Sequence, residues 1–326
     1  MINTSTKNEI TVIITCHNEA KYIKECFNSV VIQSCYENIK EIIIIDDGST
    51  DNSPQILNQL KLDCVKLKVI RTTGVGLASA RNIGIKSSNS EFIAFLDADD
   101  FWTEDKLQNQ IKAFKKDKMI GLVYGDYFDF IELNTSQASA IYVRSLNNFD
   151  KNQLMEYFVK DAPIIPSTTI VRKEVFKTVG LFNEEIKSED TEMYLRIAEK
   201  WKFFYVAGVN LYKRKREGQL TERLENFFKD QKIVSEIAIS RNPYLKKYSK
   251  KRESFRSMKV GIDCLTRHNE KLKTFKYAIN ALKLNMFNLR AWALIIMLFL
   301  PYNISIKMYN FTKNKFYQLR KKNLKY

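Results

Sequence analysis

The sequence predicts an α/β protein: a mostly parallel sheet with helical crossovers, followed by a basic α-helical C-terminal extension. Three observations carry that expectation. Over the first 130 residues short apolar runs alternate with stretches of helical periodicity, the mark of strands joined by crossover helices. From Thr221 onward almost every window has helical periodicity. Charge is partitioned in the same region: of 326 residues, 241–326 hold 21 Lys/Arg against 3 Asp/Glu, whereas 1–240 hold 32 against 34. The chain is therefore expected to divide into a domain over 1–225 and an extension over 226–326.

Ile10–Thr15 (ITVIIT) reads as the first strand, and Ala20–Ser34 as a helix with Ile23, Phe27, Val30 and Val31 on one face. Glu41–Asp46 is a nearly continuous apolar run, as expected of a parallel strand covered on both sides. Pro54 opens a helix after the turn-forming segment Gly48–Ser53. Leu67–Arg71 is a third strand, Leu77–Lys86 a helix, Glu91–Asp97 a fourth strand, and Thr103–Lys115 a further helix. Beyond it, strands are expected at 121–130, 164–171 and 203–215, with helices near 150–160 and 188–200.

Composition narrows the class. Hydrophobic residues make up 45% and charged residues 28%, enough apolar content for a sizeable core. The five cysteines are odd in number, widely spaced and form no CxxC, which argues against a disulfide framework or zinc knuckle and fits a reducing compartment. Two histidines, His17 and His268, exclude a multi-histidine metal site. The polar start leads straight into a strand, so no signal peptide is expected and a cytoplasmic location is.

In parallel sheets ligands bind beyond the carboxyl ends of the strands. Those ends read Thr15-Cys16-His17-Asn18-Glu19, Asp46-Asp47-Gly48-Ser49, Thr73-Gly74-Val75-Gly76 and Asp97-Ala98-Asp99-Asp100. Three carboxylates in four residues repel one another unless a cation neutralises them, and hard oxygen ligands suit Mg²⁺ or Mn²⁺. Asp100 also reads as the cap of the next helix. Gly74-Val75-Gly76-Leu77-Ala78-Ser79 nearly copies a dinucleotide-binding fingerprint, which keeps an NAD(P)-dependent oxidoreductase as an alternative. Against it, the motif follows the third strand, not the first, and would bring a pyrophosphate among carboxylates. Ser188-Glu189-Asp190 heads a helix, where acids suit the helix dipole and where one of them can serve as a general base.

Taken together the motifs resemble the family 2 inverting glycosyltransferases, whose GT-A fold is a Rossmann-like nucleotide-diphospho-sugar transferase fold. The matching segments are ITVIITCHNEAKYIKECFNSVVIQS, EIIIIDDGSTDNS, GLASARNIGIKSSNSEFIAFLDADDFW, IIPSTTIVRKEVFKTVGLFNEE and KSEDTEMYLRIAEKW, running from about residue 10 to 220. The resemblance implies transfer of a sugar from a nucleotide-diphosphate donor, a UDP-sugar first of all, to an acceptor hydroxyl with inversion. The enzyme would be a hexosyl- or N-acetylhexosaminyl-transferase of surface polysaccharide or glycan biosynthesis, with a glycan or lipid-linked acceptor. It implies donor contacts at Thr15, His17, Asn18, Glu19, Asp47, Ser49, Arg81, Asp97 and Arg216. It also implies a Mn²⁺ or Mg²⁺ ion at Asp99, in the motif Asp97-Ala98-Asp99, and a catalytic base at Asp190. Two positions depart from the family pattern: His17 stands where an aromatic Tyr or Phe usually stacks on the base, and Arg216 stands where a His is usual. Acceptor specificity is expected mainly in 125–185.

The extension leaves a choice of partner, since a basic module suits nucleic acid or an anionic membrane. Phe255, Phe275, Tyr277, Phe287 and Trp292 are interleaved with Lys/Arg, a pattern compatible with stacking on bases. The ten apolar residues Ala291–Leu300 have no place in a nucleic-acid groove, which disfavours a nucleic-acid-binding protein. They are too few to span a bilayer, and read either as a helix lying in a membrane interface or as one packed in the core. The expectation is therefore peripheral contact with the inner face of an anionic plasma membrane.

Overall fold

A computed structural model describes residues 8–130, 139–141, 154, 157–158, 164–215, 224–309 and 311. The chain forms two compact units, one of residues 1–154 and 162–216, the other of 155–161 and 217–326.

The first unit opens with β1 (Ile10–Cys16), α1 (Ile23–Val31), β2 (Ile39–Asp47), α2 (Ser53–Asp63), β3 (Leu67–Thr72), α3 (Leu77–Ser87) and β4 (Phe92–Asp97). It continues through β5 (Phe101–Trp102), α4 (Lys106–Ile111), β6 (Ile120–Phe130), β7 (Ser139–Ile141), β8 (Ile170–Arg172), α5 (Glu174–Val179), α6 (Glu189–Lys200) and β9 (Lys202–Arg214). The strands join one sheet in the order β3-β2-β1-β4-β8-β6-β9-β5, with β7 on β6. The long ladders, β1 with β2 and β4, β2 with β3, and β6 with β9, are parallel. The antiparallel pairs of β8 with β4 and β6, and of β5 with β9, are two or three residues long. The winding runs from β1 out to β3 and then returns to place β4 on the other side of β1. That reversal makes a crevice at the carboxyl ends of β1 and β4.

Val12, Ile13, Ile14, Ile42, Ile43, Ile44, Ile45 and Ile93 are wholly buried, the physical reason these runs carry no polar alternation. Helix α3 lies close on β1: a Cβ at Gly84 would stand 2.6 Å from Ile13 Cγ2. All five cysteines are free thiols. Cys16, Cys26, Cys35 and Cys264 are buried as small core residues.

Several boundaries differ from the sequence expectation. The strand expected over 164–171 is a 3₁₀ turn, Pro166–Thr168, followed by the short β8. Pro166 has no N–H to give to a ladder, and the polar run after it turns its groups to other elements. Thr168 O and Thr169 O accept Gln110 Nε2 and Lys106 Nζ at 2.8 and 3.3 Å. The helix expected over Thr103–Lys115 is α4 followed by a 3₁₀ turn, Lys112–Lys115. The two-residue β5 was hidden because a run so short has no period. The helix expected over Ala20–Ser34 is shorter, since 17–22 form a loop tied to the neighbouring strand end. Of the helix expected near 150–160, only 154, 157 and 158 are described, and these are helical.

The second unit contains α7 (Leu224–Arg241), a 3₁₀ turn at Pro243–Tyr248, α8 (Ser249–Thr266), α9 (Lys271–Leu284), α10 (Leu289–Leu298) and a helical stretch over 302–309. Small residues let α8 and α9 approach closely. Ser254 Oγ and Ser257 Oγ donate to the carbonyls of Ala281 and Tyr277 at 2.7 and 2.8 Å, and a Cβ at Gly261 would meet Leu294 Cδ2 at 2.7 Å. Arg252 and Arg256 are buried between helices, both donating to Ser235 Oγ at 3.0 Å. Arg252 also donates to Phe158 O, which ties Phe158 into this unit.

Gly84→Val should destabilise the first unit by about 1–3 kcal/mol, the usual cost of overpacking a filled core. A urea melt followed by circular dichroism measures it, and an unchanged midpoint would refute the close α3–β1 contact.

Candidate functional site

Thr15 and Asp97 are register partners across the β1–β4 reversal, and Thr15 Oγ1 donates to Asp97 Oδ1 at 3.2 Å. The same oxygen accepts Arg81 Nη2 from α3 at 2.9 Å. Arg81 is 2% exposed and donates through Nη1 to Glu189 Oε1, at the head of α6, at 2.6 Å. One buried guanidinium thus joins the carboxyl end of β4 to the N-terminus of α6, and brings Asp190 beside the crevice. Next to Arg81, Asn82 Nδ2 donates to Phe182 O and Glu184 Oε1 at 2.9 and 2.8 Å, while Phe182 N donates to Asn82 Oδ1 at 2.9 Å. These bonds fix the segment that leads into α6.

The acids respond to this crowding. Burial pushes the Glu189 carboxyl up to about 7, with Arg81 opposing the shift and Asp190 adding to it. Asp190 is also raised, first by burial, with Arg81 again opposing. Its Oδ1 accepts Thr191 N at 2.6 Å and Thr191 Oγ1 at 3.3 Å. Its Oδ2 accepts no hydrogen bond among the described residues, so one oxygen remains available to take a proton.

The turn after β4 is held from both sides. Asp97 N donates to Ser167 Oγ at 3.0 Å, and Trp102 Nε1 donates to Ser167 O at 2.7 Å. Asp100 is buried, and burial together with the charges of Asp99 and Asp97 raises its carboxyl well above the usual range. Asp100 Oδ1 accepts Arg214 N from β9 at 3.0 Å, and Arg214 Nε donates to Asp99 O at 3.1 Å. The Arg214 guanidinium lies 4.3 Å from the centroid of the Tyr22 ring and pairs with Glu25. Asp100 therefore receives a backbone donor from another strand, where its position suggested a helix cap.

Asp47 organises the neighbouring loop. Its Oδ1 accepts Thr72 Oγ1 and Val75 N at 2.5 and 2.7 Å, and its Oδ2 accepts Gly76 N at 2.9 Å. Gly48, at φ 72°, approaches so closely that a Cβ would lie 2.7 Å from Gly74 N. Two amides of the glycine-rich loop are thus spent on a carboxylate, and β3, which precedes it, lies at the edge of the sheet. Both facts argue against a dinucleotide pyrophosphate at 74–79. His17 is exposed, with Nδ1 2.6 Å from Asp47 O and Nε2 3.1 Å from Asn18 Nδ2. Both ring nitrogens thus have a partner, which orients the ring.

The remaining sequence candidates hold the rim together. Asn18, at φ 57°, accepts Thr50 N and Asp51 N on Oδ1 at 2.8 and 3.2 Å, and its own N donates to Ser49 Oγ at 2.9 Å. Glu19 is buried, with its N on Ser53 Oγ at 2.9 Å. Ser49 N donates to Asp46 Oδ1 at 3.1 Å. Arg216 lies outside the described residues, as does much of 125–185, where acceptor specificity is expected. Sequence reasoning missed Glu189 as the partner of Arg81, and missed Arg214 altogether. The signal for Glu189 was its place beside Asp190, whereas nothing local marked Arg214 within a basic run.

Among the described residues, no group of three or more His, Cys, Asp or Glu side chains could hold a metal ion by itself. The donor set at 97–100 is nonetheless hard oxygen, and burial, with the charges of Asp99 and Asp97 adding to it, raises the Asp100 carboxyl. Such a set fits a Mg²⁺-type ion, which takes one or two carboxylates and completes its shell with phosphate and water.

This is the architecture of nucleotide-sugar transferases of the GT-A fold. The structure superposes on S. aureus TarS 1–349, solved in complex with UDP-GlcNAc, at a TM-score of 0.62 and 19% identity over 93% of this chain and 91% of that one. The mannosyltransferase PcManGT from Pyrobaculum calidifontis, solved with GDP-Man and Mn2+, matches at 0.60 and 19% over 92% and 83%. Residues 11–180 match the family model for glycosyl transferase family 2, and the chain belongs to that family. Among curated relatives, the minor teichoic acid biosynthesis protein GgaA of Bacillus subtilis is 31% identical over 65% of this chain and 49% of its own length. Glycosyltransferase GlyG of Streptococcus pneumoniae is 28% identical over 57% of this chain and 64% of its own. The matches span roughly a third to two thirds of the length of such relatives.

Arg81→Gln should cost about 3–5 kcal/mol, because it leaves the buried Glu189 without its cation and takes the same cation from the partly exposed Asp97. The loss should be larger at pH 8 than at pH 5. Glu189, already raised to about 7 from an ordinary 4.5, takes up a proton at the lower pH and no longer presents a naked charge. Equal losses at the two pH values would contradict the buried pairing.

Proposed function

We propose that the protein is an inverting glycosyltransferase that moves a sugar from a nucleotide-diphosphate donor, a UDP-sugar first of all, to an acceptor hydroxyl. The observation that carries this reading is the Arg81 bridge, which couples the carboxylates at the β1–β4 crevice to the base-bearing end of α6. The family membership, and the nucleotide sugars with which the two structural neighbours were solved, support it.

In this reading the nucleoside lies against His17, whose fixed ring offers a stacking face, with Asp47 Oδ2 accepting from the base. Thr15 and Asp97 meet the ribose. Asp99 would hold a Mg²⁺ or Mn²⁺ ion. When bound, such an ion supplies neutralising charge to the departing diphosphate. Asp190 removes the proton of the acceptor hydroxyl as its oxygen attacks the anomeric carbon and the bond to the diphosphate breaks. A single in-line displacement needs one base only, and inverts the anomeric centre. Burial raises the Asp190 carboxyl and makes it a stronger base, while Arg81 opposes that shift and favours the ionised form. The sugar would be a hexose or N-acetylhexosamine, and the acceptor a glycan or lipid-linked saccharide of surface-polymer synthesis. GgaA, named for teichoic acid biosynthesis, belongs to that chemistry. No described helix is long and apolar enough to cross a membrane, and we place the reaction at the cytoplasmic face of the plasma membrane through peripheral contact.

Asp190→Asn should retain donor binding and lower turnover about 10²–10⁴-fold, the usual worth of a general base. Calorimetry and a coupled assay of released nucleoside diphosphate measure the two quantities, and turnover near that of the wild type would remove Asp190 from the mechanism. Turnover should fall as pH drops through the raised Asp190 value. Glu189→Gln should move that acid limb to lower pH, since it deletes a neighbouring negative charge and leaves Arg81 to favour the ionised base. A limb that stays in place would refute the coupling. Asp99→Ala, or EDTA added to the wild type, should abolish metal-dependent donor binding. Donor affinity indifferent to EDTA would end the metal assignment.

A further inference from the structure

The apolar block 291–300 does two things at once. Ala291 and Leu294 are buried, packed with Met258 and Ala281 and with Leu265 and Ala278 respectively. On the other side of the same helix Leu289, Trp292, Ile296 and Phe299 follow one another at steps of three and four residues. They remain 79, 47, 60 and 83% exposed, so they line one outward face of α10. Phe287, 81% exposed, extends that face into the turn before the helix. Trp292 Nε1 donates to Met286 O at 2.9 Å, which fixes the indole and ties the turn to the helix.

An apolar face of this size on a folded unit marks an interaction surface, and its surroundings are basic. Lys283, Arg290 and Lys307 are exposed and make no salt bridge among the described residues. From Lys271 to Tyr326 there are twelve Lys/Arg and no Asp or Glu. A second copy of this chain would bring one basic rim against another. A nucleic-acid groove would answer the charge and leave the apolar face open to water. A bilayer with anionic headgroups answers both.

We infer that Phe287, Leu289, Trp292, Ile296 and Phe299 form a membrane-docking face that enters the headgroup boundary of an anionic bilayer, with Lys283, Arg290 and Lys307 against the lipid phosphates. This deepens the proposed peripheral location and rests on it, but not on the identity of donor or acceptor. The core packing of Ala291 and Leu294 makes the arrangement rigid, so docking requires no folding of the helix at the surface.

The test is flotation of the full chain with phosphatidylcholine vesicles, with and without 30% phosphatidylglycerol (about the anionic content that separates the two arms). Two variants are compared: Leu289→Ser with Ile296→Ser and Phe299→Ser, and Lys283→Gln with Arg290→Gln and Lys307→Gln. The wild type should partition onto anionic vesicles at least tenfold better than onto neutral ones. Each variant should lose about a hundredfold in partition, and the wild type should also weaken as salt is raised. The charge variant alters no apolar contact, and keeps the test decisive if the serine variant unfolds. Equal flotation of wild type and charge variant would overturn the inference. So would a serine variant that turns a dimer into a monomer without loss of vesicle binding, or a preference for duplex oligonucleotide over vesicles. Donor hydrolysis in vesicle-free buffer, measured on the same samples, reports on the catalytic proposal separately.

Discussion

Arg81 is the residue on which the geometry of the crevice depends. A guanidinium that is 2% exposed has lost its hydration and is tolerable only if anions replace the water. Asp97 and Glu189 do so at 2.9 and 2.6 Å. They come from a strand end and a helix start more than ninety residues apart, so their shared cation fixes the distance between the two halves of the crevice. Without that cation three carboxylates, Asp97, Glu189 and Asp190, would press against one another. With it, the acids sit together, and the proton affinities of Glu189 and Asp190 are moved upward by burial and checked by the arginine.

The same logic of satisfied carboxylates shapes the rest of the rim. Asp47 is spent on the 72–76 loop, Asp100 on the Arg214 backbone, and Asp46 on Ser49 N. Each acid that braces a loop frees a neighbour from doing so: Asp47 supports the ground on which His17 stands, and Asp100 leaves the Asp97–Asp99 turn held from β9. At 97–100 the acids are thus unequal: Asp97 faces the crevice and Asp100 builds it. Asn18 and Ser49 belong with the builders, because their polar groups already face the adjoining loop.

In the helical unit the governing constraint is close approach. Gly261, Ser254, Ser257, Ala278 and Ala281 let α8 and α9 approach closely, with Met258 and Leu265 packed against the alanines. α10 closes that core with the buried Ala291 and Leu294, and with Ile295, Met297 and Leu298 partly buried beside them. Leu289, Trp292, Ile296 and Phe299 are left over, which is why a segment that looks like a core helix in hydropathy keeps a second apolar face outside.

The sequence by itself determined the strands β1 to β4, their parallel pairing and the acid character of their carboxyl ends. Those features depend on local patterns: uninterrupted Ile and Val runs that suit only a doubly covered strand, and turn-formers that close them. Through the family resemblance of their segments it also singled out Asp97, Asp99 and Asp190 as candidates. Tertiary structure alone decided the pairing of Arg81 with Glu189, the use of Arg214 as a brace, and the turn at Pro166 in place of a strand. Each of these depends on a partner 50 to 120 residues away, and no local period records which polar group will meet which. The two faces of α10 were undecidable for the same reason. Periodicity shows that a helix is apolar all round, but only the core of α8 and α9 selects which side is buried and which is left for another surface.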